Sequence, residues 1–261
     1  SAVFHRPSDE FEPKTPRPNR IARSGDVGKI RLFKNPDSLG FWVFDVAAKG
    51  GAPVTGPHAD KIRAGIARVV KRHQVKPPHA IVMSVNDFLE KTKSEMAERM
   101  EKPSFSKKLG GQEKELDSLK SYYKNLFATG IAGVIKGRVL QYCNAGHEPL
   151  LVVRRGRVIE LTDENHSGAI AMFEGTKFGL SKFELKDGDL LVAHTDGVTD
   201  HRKVGHADCF GSFNLHNLLL ENARLPPKQL VKALKTALEK HSEFFQDDAT
   251  LLAIKANPKG Y

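Results

Sequence analysis

The chain has 261 residues, of which 39% are hydrophobic, so it can bury a full core as one large domain or two small ones. Its formal net charge of +10 raises the question of a nucleic-acid partner. The basic residues are nevertheless scattered from Arg17 to Lys259, aromatic residues are few, and no zinc-finger or RNA-recognition motif occurs. We therefore expect no nucleic-acid partner. Attraction to an acidic or phosphorylated protein explains the charge equally well.

Membrane and redox signals are absent from the sequence. No apolar run approaches the roughly 18 residues of a membrane span, and the N-terminus lacks the basic-then-apolar order of a signal peptide. Cys143 and Cys209 are the only cysteines, and their spacing fits neither a metal site nor a disulfide framework. The sequence predicts a cytoplasmic protein without a membrane partner.

The first third of the chain alternates between turn signals and periodic apolar segments. Residues 1–20 contain four prolines among charged residues and predict an extended tail or linker. A hairpin follows, with strands at 29–33 and 41–46 joined by a turn rich in Asn, Pro and Gly. Apolar residues at helical spacing then predict helices at 57–73 and 78–100.

The remainder of the chain changes from helical to strand periodicity. Residues 101–115 predict a mobile insertion, and helical spacing returns at 116–126. The strands predicted after it cover residues 127–135, 138–144, 150–153, 158–161, 177–185, 190–194 and 249–255, with a last helix that starts at 226. Paired helices and many hairpin-linked strands, without βαβ alternation, predict an α+β sandwich built on antiparallel sheets.

Aspartates recur where predicted strands begin or end. Asp196 follows the apolar run 190–194, Asp45 follows the strand before a glycine pair, and Asp247 precedes the last strand. Asp26 lies in a short polar break before another strand. Carboxylates that gather at one sheet edge cannot all stay ionised without a counter-charge. Hard divalent cations with oxygen ligands supply that charge, so the pattern indicates a metal site.

The order of these motifs resembles a known family. The segments Ser24-Gly-Asp26, Phe44-Asp-Val-Ala-Ala-Lys-Gly50, Asn144-Ala-Gly-His147, His194-Thr-Asp-Gly-Val-Thr-Asp200 and Asp247-Asp-Ala-Thr250 together resemble the SpoIIE-type serine/threonine phosphatases, the bacterial branch of the metal-dependent PPM family. The resemblance implies a four-layer α-β-β-α sandwich of two antiparallel sheets flanked by helices. It places the phosphatase domain at residues 21–257, after the tail at 1–20, with 101–115 as a variable insertion.

The resemblance also implies roles for individual residues around two Mn²⁺ or Mg²⁺ ions. The implied ligands are Asp26, Asp45, Val46 (through its carbonyl), Asp196 and Asp247, with Asp248 as the alternative if the paired-acid register slips by one. Asp45 would bridge the two ions, and Asp45, Asp196 and Asp247 are the implied catalytic residues. Asn144, His147, Gly197 and Asp200 would surround the ligands, with Asp200 and His147 alternatively near a weaker third metal. Lys49 would orient phosphate. His194, inside a strand, is expected to be a core residue.

The chain departs from the family pattern in its first loop. Phe44 and Ala48 replace glycines, and Ala47 replaces a polar residue, so no acid for the leaving group is visible there. The expected activity is hydrolysis of phosphoserine or phosphothreonine in a regulator of the anti-sigma-factor-antagonist type, controlled by an N-terminal sensor domain or a regulatory protein outside this chain. The altered 44–51 loop motivates the alternative of a pseudophosphatase that binds a partner without turnover.

Overall fold

The computed structural model describes residues 1–6, 27–32, 38–47, 56–73, 76–108, 110, 112–162, 167–203 and 205–256. Its strands are β1 (Ala2–Arg6), β2 (Val27–Leu32), β3 (Ser38–Ala47), β4 (Phe127–Lys136), β5 (Val139–Ala145), β6 (Leu150–Arg154), β7 (Arg157–Leu161), β8 (Ser181–Glu184), β9 (Leu190–His194) and β10 (Ala249–Lys255). Its helices are α1 (Gly56–His73), α2 (Pro78–Met100), α3 (Pro103–Lys108), α4 (Glu113–Lys124), α5 (Asp196–Thr199), α6 (Gly211–Asn222) and α7 (Pro227–His241).

The described strands form two five-stranded sheets in which all neighbouring strands run antiparallel. Sheet A has the order β1-β10-β9-β6-β7, and sheet B has the order β2-β3-β4-β5-β8. Helices α1, α2 and α4 pack on the outer face of sheet B, while α6 and α7 pack on the outer face of sheet A. The predicted α+β four-layer sandwich is confirmed.

Alternation along β3 shows how the layers are built. Leu39, Phe41 and Val43 lie in the apolar layer between the two sheets. Trp42 and Phe44 face the opposite way, into the layer under α1 and α2. Because successive side chains of a strand point to opposite faces, the sequence of β3 fills two cores at once. It also places Asp45, two residues after Val43, on the inter-sheet face at the end of that layer.

The N-terminal residues correct the prediction of a tail at 1–20. Ala2–Arg6 is an edge strand that pairs with β10 over the register Ala2↔Ala253 to Arg6↔Ala249. Phe4 is buried in the layer beneath α6 and α7. The buried Phe4 side chain and the backbone pairing with β10 hold this segment against the domain, so it does not extend into solvent. Residues 7–20 lie outside the described part of the chain.

Residues 101–115 are the second correction, because most of them are helical where a mobile loop was expected. Pro103 starts α3, a position that suits proline because the first helical N–H needs no intrahelical partner. Phe105 packs against the core under α2, which fixes the short helix to the domain. Charged residues on both sides of Phe105, and the two glycines that follow, masked this anchor in the sequence. The described helices also include α5 and α6, which the sequence did not predict.

No helix in the described residues combines the length and the apolarity that crossing a bilayer requires.

Candidate metal centre

Polar side chains close one end of the layer between the sheets. In sheet B, Asp45, Thr129 and Asn144 continue the inter-sheet rows of β3, β4 and β5, each two residues beyond an apolar member of the row. In sheet A, Thr195 and Thr250 continue the rows of β9 and β10 in the same way. Because side chains alternate between the two faces of a strand, these five residues lie together at one end of the inter-sheet layer, which we call the polar rim.

Hydrogen bonds through Thr195 lock the two aspartate motifs of sheet A together. The Thr195 hydroxyl donates to the carbonyl of Asp248 (3.2 Å) and accepts from the backbone N–H of Thr250 (3.0 Å). The backbone N–H of Thr195 donates to the carbonyl of Thr250 at 3.0 Å. Asp196 follows as the first residue of α5, and the 247–248 pair precedes β10. These bonds fix Asp196 beside the paired acids.

Gly197 allows the start of α5 to approach the 247–248 turn. A Cβ at residue 197 would meet the carbonyl oxygen of Asp248 at 2.0 Å, a distance that no side chain tolerates. Glycine is therefore required here by close backbone approach. Its place in the motif has a steric reason that the sequence alone does not reveal.

The carboxylates at this end raise one another's pKa values. Burial is the main cause for Asp247, whose pKa rises to about 7, with added repulsion from Asp196, Asp248 and Asp200. Burial and then repulsion from Asp200 also raise the pKa of Asp196. No lysine or arginine in the described part of the chain forms an ion pair with Asp196 or Asp247. Asp196 and Asp247 therefore lack a basic partner among the described residues.

Asp247 and Asp248 differ in environment. Asp248 is 2% exposed, whereas Asp247 is half-buried at the rim. The backbone N–H of Asp248 donates to Oδ1 of Asp247 at 2.7 Å, which orients that carboxylate. Asp200 is exposed at the C-terminal end of α5, where its N–H donates to the carbonyl of Asp196 (2.7 Å).

The loop after β5 is built around Asn144. The Asn144 carboxamide accepts from the backbone N–H of His147 (2.8 Å) and donates to the carbonyls of His147 (3.0 Å) and Glu148 (3.3 Å). This local network holds the His147 ring, whose Nδ1 lies 2.9 Å from the Thr129 hydroxyl. Burial, followed by the nearby His194, lowers the pKa of His147 to about 3, so the ring is neutral.

His194 is a core residue, as expected from its position within a strand. It is 3% exposed in β9, and burial lowers its pKa to about 4. Its Nδ1 lies 3.2 Å from the carbonyl of Thr195.

Glu148 joins the site although the sequence analysis did not select it. Burial raises its pKa, as do the charges of Asp196, Asp200 and Glu160, which places its carboxylate near the start of α5. A cavity of about 270 Å³ adjoins this loop and is lined by Asn144, His147, Glu160 and Ser167, among others. The sequence signal that could have selected Glu148 is its position directly after His147 of the Asn-Ala-Gly-His motif.

The structure places four of the predicted acidic site residues near one another, whereas two other predicted site residues lie outside the described part of the chain. Asp196, Asp247, Asp248 and Asp200 are electrostatic neighbours at the end of sheet A, on α5 and on the turn before β10, while Asp45 and the buried Val46 lie on β3 of sheet B. Asp26 and Lys49 lie outside the described residues. Within the described residues, no three acidic, histidine or cysteine side chains converge as a metal site.

The residues that are described nevertheless fit a divalent cation. Within the described residues, no donor of good geometry reaches the buried Oδ1 of Asp196, although backbone N–H groups of Gly197 and Asp196 act on the same carboxyl and lower its pKa slightly against the effect of burial. A buried carboxylate oxygen without a donor is costly, and a hard cation satisfies it. A bound cation would also lower the raised pKa values of Asp196 and Asp247, because a nearby positive charge favours the ionised carboxylates.

Comparison with known proteins identifies the family. The family model described as Stage II sporulation protein E (SpoIIE) matches residues 62–257, about three quarters of the chain. The chain belongs to the SpoIIE family. It is therefore a protein phosphatase domain of the metal-dependent PPM type, as the order of its motifs predicted. Domains of this type depend on divalent metal ions.

Individual relatives of this SpoIIE domain are distant. Protein IcfG of Synechocystis sp. (strain ATCC 27184 / PCC 6803 / Kazusa) is 29% identical over 136 residues, which are 51% of this chain and 21% of IcfG. The chain thus spans only a small part of that relative's length. In structure, the domain resembles the SiaA-PP2C domain of Pseudomonas aeruginosa, with a TM-score of 0.64, 18% identity, and coverage of 90% of this chain and 84% of that one.

A second structural neighbour contains a metal ion. The crystal structure of RsbX in complex with magnesium has a TM-score of 0.55 and 13% identity, with coverage of 96% of this chain and 92% of RsbX. At these identities the two structural likenesses establish the fold shared with the SpoIIE domain.

Proposed function

We propose that this SpoIIE domain removes phosphate from phosphoserine or phosphothreonine in a protein by direct attack of water at a centre of two Mn²⁺ or Mg²⁺ ions. The observation that carries the proposal is the pair of carboxylates Asp196 and Asp247, for which the described residues supply no lysine or arginine partner. Within the described residues no donor of good geometry reaches the buried Oδ1 of Asp196, and the pKa of Asp247 is raised to about 7. Such a site is organised for cations.

The ligands would come from both sheets. From sheet B, Asp45 would bridge the two ions and Val46 would add its carbonyl. From the segments beside sheet A, Asp196 and Asp247 would bind one ion. Asp26, outside the described residues, would act on the other. The environments of the paired acids support Asp247 over Asp248, because Asp247 is at the rim and is oriented by the backbone N–H of Asp248. Asp248 instead contributes its carbonyl to the bond with Thr195.

The chemistry needs positioning and charge compensation more than a protein nucleophile. The two ions would lower the pKa of a bound water and screen the phosphoryl oxygens. Asn144 fixes the loop that carries His147, and the Thr195 bonds keep Asp196 beside Asp247. Lys49, outside the described residues, would orient the phosphate. In-line attack depends on this fixed geometry.

The family and the charge of the chain support a proposal for the substrate. We infer a cytoplasmic phosphorylated regulator of the anti-sigma-factor-antagonist type, with an N-terminal sensor domain or a regulatory protein controlling the activity. A net charge of +10 favours association with a phosphorylated or acidic protein.

Metal-dependent hydrolysis of a phosphoserine protein, with p-nitrophenyl phosphate as a second substrate, tests the proposal. We expect activity with Mn²⁺ or Mg²⁺, its loss with a chelator, and a fall of at least about 100-fold for Asp196→Asn, since a charged ligand is removed. Asp208→Asn is the matched control, because Asp208 is an exposed loop acid outside the rim. Binding of the phosphoprotein without phosphate release under any metal would instead indicate the pseudophosphatase.

A further inference from the structure

Thr129 occupies a special place beside the proposed metal centre. It pairs directly with Asp45 in the β3–β4 register, so the two side chains lie on the same face of sheet B. That face is the inter-sheet face, since Ile131 and Ile135 of the same row lie in the layer between the sheets. Thr129 is the polar end of an otherwise apolar row, and a β-branched side chain has little rotational freedom there.

The hydroxyl of Thr129 reaches across the loop to the ring of His147. Its Oγ1 lies 2.9 Å from Nδ1 of His147. The ring also interacts with the backbone of His194, the last residue of β9 in sheet A. Among the described residues, no partner of good hydrogen-bond geometry reaches Nε2 of His147, which is shielded from solvent. The side-chain bond to Thr129 therefore orients the ring together with the backbone contact to His194.

These contacts form a path between the two sheets at the site. Asp45 is on sheet B and Asp196 follows β9 of sheet A, so no single strand or hairpin sets their separation. His147 bridges the gap, bonded to Thr129 on one side and packed near His194 on the other. The residue two positions after His194 is Asp196.

We propose that Thr129 is a positioning residue of the metal centre: its hydroxyl fixes the His147 ring and thereby sets the relative placement of Asp45 and Asp196. This inference rests on the proposed function for its consequence at the metals. The contact itself is a feature of the fold. Removal of the hydroxyl leaves a buried imidazole nitrogen without its partner, and the ring must turn or the sheets must adjust.

Two substitutions separate the hydroxyl from the shape of the side chain. Thr129→Val keeps the β-branched shape and removes the hydroxyl, whereas Thr129→Ser keeps the hydroxyl. We expect Mn²⁺ binding, measured by calorimetry, to weaken about 10- to 100-fold in Thr129→Val, the usual consequence of losing an outer-shell partner of a metal site, and to be largely retained in Thr129→Ser. Thr176→Val removes an exposed turn hydroxyl and serves as the matched control.

A second readout does not need the metal. The imidazole nitrogen resonances of His147 in the metal-free protein report its tautomer and hydrogen bonding. We expect them to shift in Thr129→Val and to stay near the wild-type positions in Thr129→Ser and Thr176→Val, while unfolding curves confirm that all variants are folded.

The outcomes distinguish this inference from the proposed function. Equal Mn²⁺ affinity and unchanged His147 signals in Thr129→Val would overturn the positioning role and leave the phosphatase proposal standing. A wild-type domain that took up no Mn²⁺ would overturn the proposed function and the metal consequence together. The His147 signals would then still decide whether Thr129 orients the ring.

Discussion

The carbonyl oxygen of Asp248 occupies the space that a side chain of Gly197 would need, 2.0 Å from the position of its Cβ. This contact joins the helix that carries Asp196 to the turn that carries Asp247. The Thr195 hydroxyl bonds to the same carbonyl at 3.2 Å. One backbone oxygen thus fixes both acid motifs of sheet A relative to each other.

Substitution of Gly197 tests the importance of that approach. Because a methyl group cannot be accommodated without moving the backbone, we expect Gly197→Ala to lower the free energy of unfolding by about 1–3 kcal/mol. Mn²⁺ affinity should fall as well, since α5 and the 247–248 turn must separate. Urea unfolding and metal titration measure the two effects.

Gly168→Ala is the control for Gly197→Ala. A Cβ at Gly168 makes only ordinary contacts of 3.6 and 4.0 Å, so its stability change should stay within about 0.5 kcal/mol. Equal tolerance of both substitutions would contradict the steric argument.

The raised pKa of Asp247 predicts that the metal-free protein loses unfolding free energy as the pH rises. Its pKa is 3.8 ordinarily and about 7 in the folded state, so the folded state binds more protons across that interval. The contribution to stability is present below about pH 4 and is lost as the pH rises through 7. At pH 8 with chelator, we expect Asp247→Asn to be more stable than the wild type by about 1–3 kcal/mol, after allowance for solvent screening.

The metal should reverse this order. Mn²⁺ should stabilise the wild type strongly at pH 8 and Asp247→Asn weakly, because the substitution removes a carboxylate that we propose as a metal ligand. The difference between the two proteins is the informative quantity, since the lowered pKa values of His147 and His194 impose an opposite trend between about pH 6.5 and 4. A metal-free Asp247→Asn variant that is less stable than the wild type at pH 8 would refute the argument.

Arg154 and Asp189 form a buried ion pair that holds the start of β9. The guanidinium contacts the carboxylate at 3.0, 3.1 and 2.6 Å, and Asp189 also accepts from the backbone N–H of Lys186 at 2.7 Å. Asp189 is 2% exposed. We expect Arg154→Met to cost about 3–5 kcal/mol in unfolding free energy, because it leaves a buried charge without its partner.

Arg138 provides the matched control for Arg154. It contacts Asp187 at 2.7 Å, yet the two side chains are 59% and 43% exposed. Arg138→Met should cost less than about 1 kcal/mol, as exposed pairs do. Similar losses in both variants would show that burial is not the deciding factor.

Much of the fold was predictable from local patterns. The bounds predicted for α2 and β10 match the structure, and β3 to β7 were placed within a few residues, because their apolar periods are long and turn residues bound them. The edge strand β1 was not predictable, since its five residues are strand-like only when β10 is beside them. Phe105, which anchors α3, was not predictable either, because charged residues lie on both sides of it in the sequence and its apolar contacts form only in the folded domain.

The sequence by itself determined the family, the antiparallel sandwich and the order of the acid motifs, because these reside in periodicity and in short motifs that are read locally. Only the tertiary structure decided which residues meet. Thr129 lies beside Asp45, and the charge of Asp196 acts on the carboxyl of Glu148. The backbone of Gly197 lies against the carbonyl of Asp248. Those contacts join positions far apart in the chain. They depend on how two sheets pack face to face, which no local pattern encodes.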